Sequence, residues 1–208
     1  MSSLEGRSPT SHERRTGEPW DASYADGPAP WDLERPQPAL VRVASEFRGR
    51  LLDAGCGTGE NALFAAGLGL PVRGFDVAPR ALAVAREKAL ARGLSVDFVL
   101  ADALDLAGLG RPFATVLDCG LFHTFDAQER PKYVAGLAAV TEPGGTLHLL
   151  CFSDQGPETG PHPVSREQVG AAFRPETGWE VGRIVPERVE TRYHEHGAPA
   201  WLATIVRR

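Results

Sequence analysis

A short stretch after residue 50 combines acidic residues with three closely spaced glycines. From Asp53 to Glu60 it reads D-A-G-C-G-T-G-E. Glycines at alternate positions allow a tight turn and a close approach of the backbone to a ligand, and a following helix N-terminus adds a positive edge. The G-x-G-x-x-G order of dinucleotide sites is missing, and so is the Gly-Lys-Ser/Thr of triphosphate loops. The flanking acids oppose a pyrophosphate and favour a ligand with an ammonium group.

Two further acids end the next two apolar runs. Asp76 lies 17 residues after Gly59, where a carboxylate can accept both hydroxyls of a ribose. Asp102 follows the third run and can accept from an exocyclic amine. Structural alternatives are a capping role for Asp76 at the helix that starts at Pro79, and a plain turn role for Asp102. Together the loop and the two acids describe a site for an adenosyl amino acid.

Alternating elements are expected to position these residues. Apolar runs predict strands near residues 50–55, 70–76, 95–102, 112–120 and 144–153, with two late strands at 179–193 and 199–208. Helical spacing predicts helices near 60–69, 79–93, 126–140 and 165–173. This order predicts an α/β fold: a Rossmann-like seven-stranded sheet, mostly parallel with an antiparallel last strand, and helices on both faces.

The chain divides into three parts by composition. Residues 1–18 are polar and without periodicity, which predicts a disordered tail. Residues 19–45 contain Trp20 and Trp31 among several prolines, which predicts an N-terminal lid arm that packs on the rest of the protein. Residues 46–208 form the predicted α/β domain.

Charge and composition argue against several classes of protein. The net charge is −5 and the basic residues are scattered, so electrostatic binding of nucleic acid is not expected. No apolar run reaches the roughly 20 residues of a membrane span, and the N-terminus lacks a secretion signal. Three distant cysteines, Cys56, Cys119 and Cys151, indicate buried thiols in a reducing compartment, so we expect a cytoplasmic protein.

The glycine-loop segment L-L-D-A-G-C-G-T-G-E-N resembles the first motif of class I S-adenosylmethionine-dependent methyltransferases, and G-F-D and A-D-A resemble the second and third motifs at the expected spacings. The resemblance covers residues 45–208. It implies S-adenosyl-L-methionine as cofactor, with S-adenosyl-L-homocysteine as product. The implied cofactor-binding residues are Trp31, Asp53, Gly55, Cys56, Gly57, Thr58, Gly59, Asp76, Val77, Asp102, Ala103, Asp118 and Cys119.

A narrower likeness involves the arm and the segment D-C-G-L-F-H that ends the fourth strand. These resemble bacterial small-molecule methyltransferases that act on heteroaromatic, quinol-like or thiol substrates and are related to the thiopurine and halide/thiol methyltransferases. The resemblance implies that Trp31 lies near the methionine end of the cofactor, and that Trp20 and Tyr24 face the substrate. His123 is the candidate general base or hydrogen-bonding partner of the acceptor, and His162 a further substrate contact.

The expected function is methyl transfer to an N, O or S atom of a small aromatic or heteroaromatic molecule, by a monomer or homodimer without a metal. Protein and nucleic-acid acceptors are disfavoured because no Asn-Pro-Pro-Tyr motif follows the fourth strand. The alternative is a non-catalytic adenosylmethionine-binding regulatory module; a nicotinamide-dependent reductase fits poorly. His194 and His196 have metal-ligand spacing, although a solvated turn is the simpler interpretation.

Overall fold

The computed structural model describes residues 17–110, 112–156 and 162–208. These residues form one seven-stranded sheet in the order β3-β2-β1-β4-β5-β7-β6. Strands β1 to β5 are parallel, and β7 lies antiparallel to both β5 and β6. The predicted fold class is confirmed. The strands are β1 (Leu51–Ala54), β2 (Val72–Asp76), β3 (Val96–Leu100), β4 (Phe113–Cys119), β5 (Thr141–Phe152), β6 (Trp179–Val189) and β7 (Ala198–Arg207).

Helices cover both faces of the sheet, and each face has its own apolar core. Helices α2, α3 and α4 pack on one face, whereas α5 and α6 pack on the other. Burial on both faces explains why β1 and β4 are almost continuously apolar. The helices are α1 (Glu18–Ala22), α2 (Pro38–Arg42), α3 (Glu60–Gly67), α4 (Pro79–Ala91), α5 (Arg130–Val140) and α6 (Arg166–Ala172).

Local signals set the helix ends close to their predicted positions. Pro79 lies in the first turn of α4, where its missing amide hydrogen costs no hydrogen bond. Helix α5 begins at Arg130, later than predicted, because Pro131 is tolerated only in a first turn. At α6, Ser165 forms a capping box with Gln168.

The strand register brings the chemically interesting residues to one edge of the sheet. Ala54 pairs with Phe75 on one side and with Asp118 on the other, and Asp76 pairs with Leu100. Because β1 to β4 are parallel, their carboxyl ends and the loops that follow them meet at this edge. The glycine loop, Asp76 and Asp102 therefore come together.

The arm packs along this edge. Gly17 lies against Val77, and Asp21 accepts a hydrogen bond from the Arg80 amide at 2.7 Å. Gly17 and Glu18, which were predicted to lie in the tail, pack with the arm; the other predicted tail residues, 1–16, lie outside the described residues.

All three cysteines are free thiols. Among the described helices, none has the length and apolar character needed to cross a membrane.

Gly59 offers a test of how tightly the glycine loop packs on α4 and β3. Its φ is 84°, and an added Cβ would lie 2.7 Å from the Phe98 ring and 3.0 Å from Ala85. Gly69 has a similar φ of 86° but open space around it. We expect Gly69→Ala to cost about 1–2 kcal/mol of unfolding free energy from backbone strain, and Gly59→Ala to cost about 1–3 kcal/mol more from overpacking. Urea unfolding of both variants measures the difference, and equal losses would contradict it.

Candidate functional site

A cavity of about 490 Å³ opens at the carboxyl edge of the sheet, beneath the arm. One end, here called the Asp76 end, is formed by the glycine loop and the residues after β2 and β3. The other, the His123 end, is formed by residues after β4, by Phe152 and by the loop between β6 and β7. Most residues predicted for the site line this cavity, namely Trp20, Tyr24, Trp31, Gly55, Cys56, Gly57, Thr58, Asp76, Val77, Asp102, Ala103, Cys119, His123 and His162.

The glycine loop keeps its backbone open to the cavity. Gly55 and Gly57 have φ values of 64° and 52°, a left-handed conformation that residues with a Cβ rarely adopt. The Cys56 amide donates to the Phe75 carbonyl at 2.9 Å, which holds the loop against β2. A Cβ at Gly57 would lie 3.0 Å from the Tyr24 hydroxyl, so even one methyl group would fill the space between loop and arm.

Asp76 has the bonding capacity that a ribose needs. Its Oδ2 accepts from the Gly57 amide at 2.8 Å and its Oδ1 accepts from the Ala78 amide at 2.9 Å. Each carboxylate oxygen can accept more than one hydrogen bond, so both retain acceptor capacity. Burial raises the pKa of Asp76 above its ordinary value. A pair of donating hydroxyls from the cavity would offset part of that desolvation.

Two other acids complete the Asp76 end. Asp102 accepts from the Leu104 amide through Oδ1 at 2.8 Å, and among the described residues none donates to its Oδ2. Asp53 does not line the cavity but lies behind the loop, 1% exposed, and its Oδ2 has no partner within the described part of the chain. Burial raises the pKa of Asp53 to about 8, although the Ala62 amide donates to it. An orphaned carboxylate oxygen behind the loop and free acceptors on Asp76 and Asp102 fit a cationic adenosyl amino acid.

The aromatic residues of the arm lie over the Asp76 end. Trp31 donates from Nε1 to the Tyr24 hydroxyl at 2.8 Å, and the Trp20 and Trp31 rings meet edge to face at 5.9 Å. Burial raises the pKa of Tyr24 above its ordinary range, and the nearby Asp76 carboxylate raises it further. Tyr24, which is predicted to face the substrate, therefore lies beside Asp76 and the glycine loop.

A buried polar cluster joins the arm to the glycine loop, and sequence reasoning missed it. Thr58 donates from its hydroxyl to Asp32 at 2.7 Å, and Lys88 donates to the Thr58 hydroxyl at 2.8 Å. Lys88 also pairs with Glu60 at 2.9 Å, and Arg92 binds both oxygens of Glu60. Buried charges are stable only when paired and hydrogen-bonded, so the cluster fixes the arm relative to the loop.

His123 is buried at the opposite end. Its ring packs against Phe152 with centroids 4.6 Å apart, and its Nδ1 has no hydrogen-bond partner among the described residues. Burial, together with smaller contributions from the neighbouring His162 and Arg130, lowers the pKa of His123 to about 3. The imidazole is therefore neutral, and His123 lines the cavity.

Asp118, predicted to bind the cofactor, has a different position. It is fully buried, accepts from the Leu121 and Phe122 amides, and accepts from the Tyr133 hydroxyl at 2.8 Å. These bonds fix the short 3-10 turn Phe122–Thr124 that carries His123. Asp118 does not line the cavity because its side chain lies on the α5 face of the sheet. Gly59 does not line it either, since it packs on Phe98.

The loop between β6 and β7, residues 190–197, contributes Thr191, Tyr193 and His194 to the cavity wall, although the sequence suggested a solvated turn. The arm holds this loop in place, because the Gln37 side chain exchanges two hydrogen bonds with the backbone of Glu190, at 2.9 and 3.0 Å. Nothing in a local pattern reveals these contacts. Within the described residues, no group of three His, Cys, Asp or Glu side chains is arranged to hold a metal ion.

Comparison with known proteins agrees with this geometry. Residues 51–145 match a family model described as a methyltransferase domain. The chain is 33% identical over 166 residues, 77% of its length, to the 2-heptyl-1-hydroxyquinolin-4(1H)-one methyltransferase of Mycobacteroides abscessus, covering 72% of that protein. A solved structure described as "Conversion of a Disulfide Bond into a Thioacetal Group during Echinomycin Biosynthesis" is 36% identical with a TM-score of 0.82, over 91% of this chain and 92% of that one.

A more distant likeness concerns the fold alone. The magnesium protoporphyrin IX methyltransferase of Synechocystis, solved with S-adenosylhomocysteine bound, is 21% identical with a TM-score of 0.62, over 81% of this chain and 78% of that one. Sequence, fold and cavity thus agree: the chain belongs to the class I S-adenosylmethionine-dependent methyltransferases.

Proposed function

We propose that the protein transfers the methyl group of S-adenosylmethionine to an N, O or S atom of a small aromatic or heteroaromatic molecule. The observation that carries the proposal is a single cavity with two chemically different ends. The Asp76 end offers carboxylates and open backbone, and the His123 end offers aromatic rings and neutral polar groups. A cavity of about 490 Å³ is within the range of small-molecule sites.

When bound, S-adenosylmethionine supplies an electrophilic methyl group on a sulfonium. In this proposal Asp76 accepts hydrogen bonds from the ribose hydroxyls, and Asp102 accepts one from the adenine amine. Asp53, which lies behind the glycine loop and does not line the cavity, supports that loop. The remaining cofactor contacts come from the glycine loop, Thr58, Val77, Ala103, Cys119 and Trp31. The arm covers the cofactor and excludes water, which strengthens the electrostatic interactions within the site.

At the His123 end, the residues are suited to position an acceptor rather than to activate it strongly. A neutral imidazole with a lowered pKa is a weak base, so we assign His123 a hydrogen bond to the acceptor. Phe152 and His162 offer further contacts, whereas Trp20 lines the cavity with the other arm aromatics over the Asp76 end. Positioning alone supplies a large part of the rate enhancement of a displacement reaction. An acceptor that ionises easily, such as a phenol, thiol or N-hydroxy group, fits this site.

Two relatives support an acceptor of this kind. One is named for a hydroxyquinolone, and the other is described by chemistry on a sulfur-containing group in echinomycin biosynthesis. We propose that the acceptor here belongs to the same broad class of small ring-containing molecules, without assigning the compound.

A screen of small phenols, thiols and N-heterocycles with labelled methyl donor tests the proposal. We expect label in at least one aromatic product, together with calorimetric binding of S-adenosylhomocysteine. Cofactor binding without transfer to any acceptor would favour the regulatory-module alternative. Transfer only to macromolecules would overturn the proposed substrate class.

The role of Asp76 leads to the first prediction for the site. Asp76→Ala removes the acceptor for the ribose and leaves the Gly57 and Ala78 amides without their partner. We expect S-adenosylhomocysteine affinity to fall by about 1–3 kcal/mol in isothermal titration calorimetry. Asp97→Ala, which removes an exposed carboxylate of β3 outside the cavity, is the control. An Asp76→Ala affinity equal to that of the control would refute the assignment.

The arm leads to a second prediction. Asp32→Ala removes the acceptor of the Thr58 hydroxyl from the buried cluster and loosens the arm. We expect turnover and S-adenosylhomocysteine affinity to fall by about tenfold, the cost of one charged hydrogen bond. Asp26→Ala, an exposed position on the same arm, should behave as wild type in both assays. Unchanged turnover and affinity for Asp32→Ala would mean that the position of the arm does not depend on the hydrogen bond between Asp32 and Thr58.

The lowered pKa of His123 leads to a prediction about pH. With a pKa of about 3, the His123 ring stays neutral above pH 5. Its titration therefore causes no fall in the methyl-transfer rate between pH 5 and neutral pH. The rate against pH should rise with the ionisation of the acceptor and move when an acceptor of different pKa is used. A limb near pH 6.5 that is independent of the acceptor and disappears in His123→Gln would contradict this.

A further inference from the structure

The loop of residues 190–197 contains a histidine whose tautomer the hydrogen bonds determine. The Thr191 hydroxyl oxygen accepts from the amides of Tyr193 and His194, at 3.3 and 3.2 Å, and lies 2.7 Å from His194 Nδ1. A hydroxyl has two lone pairs and one hydrogen. Because both lone pairs are engaged, the hydrogen is donated to Nδ1, and His194 carries its own hydrogen on Nε2.

This tautomer leaves a hydrogen-bond donor on a ring that lines the cavity. His194 is half-buried and lies at the His123 end. Among the described residues, none is hydrogen-bonded to its Nε2. Gln37 holds the neighbouring Glu190, and the Pro30 carbonyl accepts from the Arg192 amide at 2.8 Å. The arm therefore fixes the position of the donor, which is a requirement for selective binding.

The charges around the cavity favour an oxygen as the partner of this donor. The carboxylates among the described lining residues are Asp32, Glu60, Asp76 and Asp102, and all belong to the arm or the Asp76 end. The His123 end instead has histidines and Thr191. Arg35 lines the cavity from the arm, and its charge is paired with that of Glu190, which does not line the cavity. An anionic or carbonyl oxygen is therefore not repelled at this end.

We propose that His194 is a specificity-determining residue, whose Nε2–H donates a hydrogen bond to a carbonyl or anionic oxygen of the acceptor, distinct from the atom that is methylated. The inference rests on the proposed function and narrows it. The acceptor is an aromatic molecule with a nucleophilic atom and a second, hydrogen-bond-accepting oxygen. Thr191 is the positioning residue that selects the donating tautomer.

Two acceptors that differ by one ring carbonyl test the proposal. They are 2-heptyl-1-hydroxyquinolin-4(1H)-one, which has a carbonyl, and 2-heptyl-1-hydroxyindole, which lacks it. The variants are His194→Ala, His194→Gln, which keeps an N–H donor, Thr191→Val and Thr191→Ser. His196→Ala is the matched control, since His196 is exposed and does not line the cavity. S-adenosylhomocysteine affinity is measured for each variant to verify that the Asp76 end still binds the cofactor product.

We expect His194→Ala to raise KM for the quinolone by about tenfold or more, with kcat/KM for the indole changed by about twofold or less. His194→Gln and Thr191→Ser should keep KM for the quinolone close to the wild-type value. Thr191→Val should show part of the increase in KM. In nitrogen-15 spectra, wild-type His194 should show the Nε2–H tautomer, and Thr191→Val a mixture.

The inference would be overturned by an equal loss on both acceptors, by no loss on the quinolone, or by an Nδ1–H tautomer in the wild type. Turnover of the indole but not of the quinolone would also overturn it while leaving the proposed function intact. Turnover of no aromatic acceptor in the wider screen would overturn the proposed function itself, and the inference with it.

Discussion

The site depends on the hydrogen bonds that the Asp76 carboxylate accepts. Its two oxygens accept hydrogen bonds from the amides of Gly57 and Ala78, and so join the glycine loop after β1 to the turn that starts α4. The loop can hold its left-handed conformation because its glycines have no Cβ, and its backbone then forms one wall of the cavity. One buried carboxylate thereby shapes the loop and also offers acceptors to a ligand.

The arm belongs to the site as much as the sheet does. Asp32 binds the glycine loop through Thr58, whereas Pro30 and Gln37 bind the loop of residues 190–197. The two ends of the cavity are therefore held at a fixed separation by one segment of chain. In the proposed reaction this separation matters, because misplacing the acceptor relative to the methyl group by even 1 Å lowers the rate by about a hundredfold.

Much of the Asp76 end was predictable because the sequence signals for it are local. The glycine spacing, Asp76 and Asp102 each follow an apolar strand, and parallel strands bring such residues to one edge. The contacts of Gln37 with Glu190 were not predictable, since 153 residues separate them. Asp118 does not line the cavity, and the sequence could not show this because a strand pattern gives alternation but does not say which face looks toward the cavity. His194 was interpreted as part of a solvated turn because only the tertiary fold brings its loop over the site.

The cavity has carboxylates at one end and aromatic rings, histidines and Thr191 at the other, which matches a cationic cofactor and an electron-rich acceptor. A crystal structure with S-adenosylhomocysteine and a hydroxyquinolone bound together tests this arrangement most directly. We expect the ribose hydroxyls on the Asp76 carboxylate and the aromatic ring at the His123 end, beneath the arm. A nucleoside bound away from Asp76, or an acceptor bound outside the cavity, would contradict it.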